Sequence, residues 1–500
     1  MSIGNNNWRY NLMPKPPPKN DQLQLSFPVS LELARRVTQR EHRTNPLLNI
    51  LNMTTKSATQ YPDLTGEKGI FWRLANSVTG ACGTIIRALA YWHKGIRQKN
   101  TTIHADVIII SHLTTPSHLA NSTDFYFGNL DKDLEKAGYQ THTILINHCR
   151  ATLTDVQKNP RQKTTVFPAF LSPWQEIKAL TRMIAAARTI PRLDEQSAFR
   201  RKAQCAQFCS KALSDYRIGN MVNRIITQSH PLAVIHTYEG HGWERLIQTD
   251  CHNMEKPPIV IGYQHAVLFP GLKSINCRHG HGADPDHIFS AGKITYDQFI
   301  NESEFDGISI LGSPKIFENR RTSTFEAKGN CLIAPEGTIS EVMIMAKFAI
   351  DAAYLNPDQK FVLRLHPVLE RACVIRKINK FSPLPYNFSL SNADIYSDFN
   401  AASWLCYRGS TMVVQGILNG LRPIYLDPDN MAASNDPIPA GLAFRRIAGN
   451  ERELVDIIKL DQKNAQVANK EFISARRFAL EYLLPINPET LIQYLKSKLS

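Results

Sequence analysis

"AVIHTYEGHGWERLI", residues 233–247, decides how the chain reads. Its first half is an apolar, β-branched run and its second half mixes polar and apolar residues at helical spacing. The segment is therefore a buried strand that enters a helix through a short turn. That turn carries Glu239 and His241, with Gly240 between them and Gly242 after. Glycines there leave open space beside a neighbouring side chain. A carboxylate and an imidazole at the carboxyl end of a buried strand stand where parallel α/β sheets bind ligands. The competing reading is a helix cap, because an acidic side chain near a helix N-terminus is also stabilising.

The same alternation extends in both directions. "ADVIIISHL" (105–113) is a strand buried on both faces, and "LDKDLEKAGY" is a helix stopped by Gly138. "THTILIN" is the next strand, and residues 173–228 read as long helices. "PLAVIHTY" (231–238) and "PPIVIGYQH" (257–265) are strands around the helix "WERLIQTDCHNM". "DPDHIFSAG" (284–292) and "ISILGSP" (308–314) continue the series, and "KIFENRRTSTFEAKGN" is a polar linker. A second series follows with "CLIAPEGT" (331–338), the helix "SEVMIMAKFAIDAAYL" (340–355), "KFVLRLHP" (360–367) and "ASWLCYRGSTMVVQGILNGLRPIYLD" (402–427). The chain closes with helices such as "EFISARRFALEYLL". The pattern predicts two doubly wound, Rossmann-like α/β domains, residues 104–320 and 321–500, behind an N-terminal extension of residues 1–103. Their carboxyl edges are expected to face each other across a central cleft.

Two elements of the second series carry chemistry. The strand ending "RLHP" puts Arg364 and His366 at the ligand edge. "RGST" puts Arg408 beside a turn at Gly409, with Ser410 and Thr411 opening a helix. Backbone N–H groups and hydroxyls at a helix start suit a phosphate, although a Ser-Thr pair there also serves as a plain N-cap. No GxxxxGK[ST] run occurs, so a P-loop ATPase is not supported.

The order "RLHP", then "RGST" opening a helix that ends "GLRPIYL", resembles the nucleotide domain of GT-B glycosyltransferases that use CMP-sugars. These are the bacterial sialyl- and polysialyltransferases and the β-Kdo transferases of capsule and lipopolysaccharide. "YEGHGWER" and "GYQHA" are similar to surface-carbohydrate biosynthesis proteins of the same group, and the likeness spans roughly residues 230–430. It implies a GT-B fold and a CMP-sugar donor, Kdo or a related ulosonic acid. His366 and Ser410, with Thr411 beside it, would hold the cytidine nucleotide. Glu239 would be a base for inversion or a nucleophile for retention. His241 or His265 would orient it or contact the donor acid, and Gln264 would lie against the sugar. Arg278 and His279 would meet a carboxylate or phosphate of donor or acceptor. No divalent ion or other cofactor is expected, since helix dipoles and basic groups take that part. Teichoic-acid glycerophosphotransferases, which use CDP-glycerol, show a similar arrangement. A CDP-glycerol or UDP-sugar transferase, or a sugar-nucleotide epimerase, is the alternative.

Composition narrows the remaining classes. The 500 residues carry a net charge of +14, and residues 1–104 hold 14 Lys and Arg against 5 Asp and Glu. Within that region, "GIFWRLANSVTGACGTIIRALAYWHKGIRQK" (69–99) mixes aromatic, aliphatic and basic residues. Such a segment suits a helix at a lipid interface, or else packs on the protein's own core. A nucleic-acid partner is not expected, because the α/β series itself carries no basic, aromatic binding face. Nine scattered Cys, and an opening without the apolar core of a signal peptide, point to a reduced, cytoplasmic protein, peripheral on the inner membrane face where the acceptor glycan is lipid-linked. The loop "INCRHGHGADPDH" (275–287) is rich in His and Asp, yet lacks a recognised metal-ligand spacing.

Overall fold

A computed structural model describes residues 70–92, 95–96, 103–161, 163–188, 204–205, 209–268, 273–276, 278, 280, 282–315, 324–367, 369–427 and 436–499. Two parallel sheets organise them. The first contains β1 (Val107–Leu113), β2 (Thr141–Asn147), β3 (Thr164–Val166), β4 (Ala233–Thr237), β5 (Ile259–Gln264), β6 (His287–Ser290) and β7 (Ile308–Ile310). They lie in the order β3-β2-β1-β4-β5-β6-β7. The second contains β8 (Asn330–Ala334), β9 (Phe361–Leu363), β10 (Phe388–Leu390), β11 (Ala402–Tyr407), β12 (Arg422–Leu426) and β13 (Arg446–Ala448), in the order β10-β9-β8-β11-β12-β13. Both are doubly wound, with the order reversing between β1 and β4 and again between β8 and β11. Two doubly wound sheets are what the alternation of strands and helices predicts, and they agree with the GT-B layout that the resemblance implies.

The cause is visible in the central strands. Every residue of β1, β4 and β11 is buried, so each strand needs apolar side chains on both faces and helices on both sides. Isoleucines 108 and 110 face one core layer with Val222 and Ile226, while Ile109 faces the other with Leu130 and Leu134. One layer on each face is what makes the sheet doubly wound.

Two segments cross the expected domain limits. The helix Ile70–Tyr91 packs through Ala81 with Ala179, Met183, Ala212 and Leu213, so it belongs to the first domain rather than to a separate extension. The last helix, Pro488–Leu499, leaves the second domain, and its Leu491, Ile492 and Leu495 join the core of the first. The crossing runs through two glycine-lined contacts: a Cβ at Gly292 would land on Tyr482 O, and one at Gly312 on Pro485 O. Gly312 has φ +89°, a conformation that also favours glycine.

The carboxyl edges of the two sheets meet. Val267, three residues beyond β5, donates its N–H to Thr411 Oγ1 of the second domain at 3.5 Å. Leu268 N–H reaches the Tyr482 hydroxyl at 3.0 Å. The turn after β11 therefore stands directly across from the loop after β5.

Candidate functional site

Glu239 follows β4, beside the point where the first sheet reverses its strand order. In open α/β sheets ligands bind at that point. The helix Gly242–His252 begins three residues later, and the carboxylate that satisfies its start is not Glu239. Glu244 takes that part: it accepts the backbone N–H groups of Glu239 at 3.1 Å, Gly240 at 2.7 Å and His241 at 2.9 Å. A side chain three positions into a helix reaches back in this way in a capping box. Gly240, at φ +76°, turns the chain so that all three amides converge on it.

Glu239 is thereby not used at the helix start and lies between two imidazoles. Its Oε2 lies 2.9 Å from His241 Nε2 and its Oε1 3.3 Å from His265 Nε2. The carboxylate keeps 29 % of its side-chain surface open, against 5 % for His265. That combination, a supported acid with an open side, is what a base or nucleophile needs.

Residues from three further elements complete the cluster. Lys315 is buried with Nζ 3.3 Å from His265 Nδ1 and 4.6 Å from the centre of the Tyr126 ring. Burial lowers its pKa from 10.5 to about 8, with Glu239 and Asp124 acting in the opposite direction. Tyr126 packs edge-on against His265 at 4.6 Å, its loop fixed by Asp124, which accepts from Ser111 Oγ and the amides of Tyr126 and Phe127. On the other side, His112 Nε2 lies 2.7 Å from Thr237 Oγ1 and its Nδ1 2.8 Å from His148 Nε2. Desolvation holds His112 well below the ordinary histidine range, helped by His148 and opposed by Glu239. His148 has open surface and lines a cavity together with His241 and Trp243, and desolvation by the surrounding protein lowers its pKa to about 4.

In the second domain, the RGST turn and the loop before the helix Ile339–Leu355 flank the other reversal point, between β8 and β11. Gly409, at φ +59°, lies so close to Glu336 that a Cβ there would land on Glu336 Oε1. Ser410 Oγ accepts from Met412 N–H at 3.2 Å, and Thr411 Oγ1 meets Val267. His366 is exposed three residues beyond β9, where the surrounding protein lowers its pKa by desolvation.

The two arginines of these motifs are placed differently from the phosphate-facing positions expected of them. Arg408 is wholly buried: its Nε lies 3.2 Å from Glu341 Oε1, and its Nη1 donates to Leu426 O at 2.9 Å. Arg364 is paired with Asp398 at 2.5 Å and donates to Ala393 O at 2.9 Å. Both hold loops of their own domain in place. Gln264 is buried, and its amide turns to Ala266 O.

Arg278 is not brought to the cluster. Its N–H donates to Glu304 and its guanidinium lies 3.8 Å from Asp306, just before β7 and so at the opposite, amino edge of the sheet. His279 lies outside the described residues. Other polar residues of that loop serve internal contacts: Asp284 pairs with the buried Arg245 at 2.8 Å, and Asp286 meets His252 at 3.1 Å.

No family model matches this chain, and no curated protein matches it. Solved structures similar to it include the glycotransferase of kitacinnamycin, at 10 % identity over 80 % of this chain and 100 % of that one, with a TM-score of 0.48. UDP-GlcNAc 2-epimerase from Neisseria meningitidis is similar at 10 % identity over 79 % of this chain and 99 % of its own, with a TM-score of 0.46. The glycosyltransferase SnogD from Streptomyces nogalater is similar at 12 % identity, 80 % and 100 % coverage, and a TM-score of 0.44. The architecture described above rests on this chain's own strand order and register.

Proposed function

We propose that the chain moves a sugar, Kdo or a related ulosonic acid, from a CMP-activated donor to a bacterial surface-glycan acceptor of the lipopolysaccharide or capsule class. The acceptor is carried on lipid, and the enzyme works from the cytoplasm at the inner membrane face. The observation that supports this reading is the division of labour between Glu244 and Glu239. Glu244 satisfies the helix start, and Glu239 is left between His241 and His265 with part of its surface open. As a base, Glu239 takes the proton of the acceptor hydroxyl while that oxygen displaces CMP. As a nucleophile, it displaces CMP itself and is then displaced by the acceptor. His366, Gly409, Ser410 and Thr411 hold the nucleotide phosphate. The reading needs no metal ion.

Calorimetric titration with CMP, CDP, UDP and GDP tests the donor. CMP is expected to bind selectively, and His366→Ala to weaken it by roughly ten- to a hundredfold, the value of one hydrogen bond to a charged group. Preference for UDP or CDP would shift the reading to a CDP-glycerol or UDP-sugar enzyme, and binding of none of the four would sink it.

Lys315 predicts a pH dependence. It acts through His265, as a buried cation beside the Glu239 pair, and it loses its proton above about 8. The transfer rate is expected to fall as pH rises through that value, approaching tenfold per unit. Folding stability changes in the other direction. Between about 8 and 10.5 the unfolded lysine keeps a proton that the folded one has released, so its burial cost is relieved as pH rises. A pH–rate profile of Lys315→Met without the alkaline limb is the expected result; an unchanged limb would assign it to another group.

A further inference from the structure

The helix Ile70–Tyr91 is inverted relative to an ordinary surface helix. Toward the protein it turns small residues: Ser77, Ala81, Thr84 and Ala88 are buried, and Gly80 lies against Ser210. Away from it point Phe71, Leu74, Val78, Cys82, Ile86 and Leu89. Their spacings of three and four residues form one stripe along about 30 Å of helix. Phe71 is 86 % exposed and Ile86 64 %. A surface helix normally shows its polar face to water, so a continuous apolar stripe marks a face that meets something else.

We infer that this stripe docks on an anionic lipid bilayer, with the helix lying in the plane of the interface. Charge supports that occupant. The helix contains Arg73 and Arg87 and no acidic residue, and Lys94, Arg97 and Lys99 follow it in sequence. At its C-terminal end, Tyr91, Trp92 and Phe170 line a cavity of about 250 Å³. The Arg150 guanidinium lies 5.6 Å from the centre of the Tyr91 ring and 5.9 Å from that of Phe170. Among the described residues Arg150 makes no ion pair with a carboxylate. Rings together with an arginine suit the depth of phosphate headgroups, where the rings sit in the interface and the cation meets the phosphate. Among the described residues no helix is long and apolar enough to cross a membrane, so the contact is a surface one. The inference deepens the membrane part of the proposed function. It stands or falls separately from the donor, because its test reads lipid and not nucleotide.

The test is sedimentation of the full chain with vesicles of phosphatidylcholine, with and without about one-third phosphatidylglycerol. Binding is expected with the anionic lipid, to weaken with salt, and to fall at least about tenfold for Val78→Asp/Ile86→Asp, with CMP affinity unchanged. Arg150→Ala is expected to weaken it about fivefold. Hydrogen exchange over residues 70–91 should slow only when vesicles are added. Four results would overturn the inference. The first is undiminished vesicle binding by the Asp pair. The second is a solution dimer that the Asp pair dissociates while vesicles are ignored, which assigns the face to a second copy. The third is exchange already slow without lipid, which means residues 1–69 cover the stripe. The fourth is binding of free glycerol phosphate without vesicle binding, which reduces the site to a soluble phosphate.

Discussion

Glu239→Gln is expected to lower transfer by at least about a thousandfold while leaving nucleotide affinity and thermal stability close to wild type. The amide has the shape of the carboxylate but can neither take a proton from the acceptor nor attack the donor. Stability should hold because the helix start does not depend on this side chain; its three converging amides are met by Glu244. Glu244→Gln is the matching control. It replaces a charged acceptor of three N–H groups, so about 1–3 kcal/mol of stability should go, and any activity loss should follow from the displaced turn. Single-turnover mass spectrometry separates the two chemistries: a sugar adduct on the peptide holding Glu239 marks a nucleophile, and its absence in an active wild type marks a base. A Glu239→Gln enzyme within about threefold of wild type would remove the residue from the mechanism.

The contrast between these two glutamates shows how far the sequence could be read. Long apolar runs such as "VIIISHL" and "ASWLCY" are legible because burial on both faces demands them. Three strands, β3, β10 and β13, were not legible. Each is three residues long on a sheet edge, with too few side chains to show a period. The pair "EGHG" was visible, and so was the His of "GYQHA". His112, His148 and Lys315 were not, since only the adjacency of β1 to β4 and the end of β7 brings them to Glu239. The one signal was a Ser-His pair closing an otherwise aliphatic strand. Glu244 was legible in principle, as an acid three residues past the last loop residue. The His-rich loop shows the opposite case: its acids answer the buried Arg245 and the half-buried His252, whose need for partners is invisible until burial is known.

Burial also decides the second large effect, at Arg408, a position where the motif suggests a phosphate ligand. Arg408→Met is expected to destabilise the fold by about 3–5 kcal/mol, read as a lower midpoint in urea at unchanged slope. Methionine fills much of the space, but it strands Glu341, a buried carboxylate whose pKa is already raised by desolvation and restrained only by Arg408. An acid with a raised pKa costs stability when ionised, so the deficit of the variant should be smaller at pH 5 than at pH 8. Replacing Glu341 as well, by Gln or Leu, should recover much of the loss, because removing both members of a buried pair costs far less than removing one. Nucleotide affinity should then return with the fold, since Gly409, Ser410 and Thr411 keep their backbone course once the turn is anchored. A variant that melts like wild type but no longer binds CMP would place the guanidinium on the donor phosphate instead.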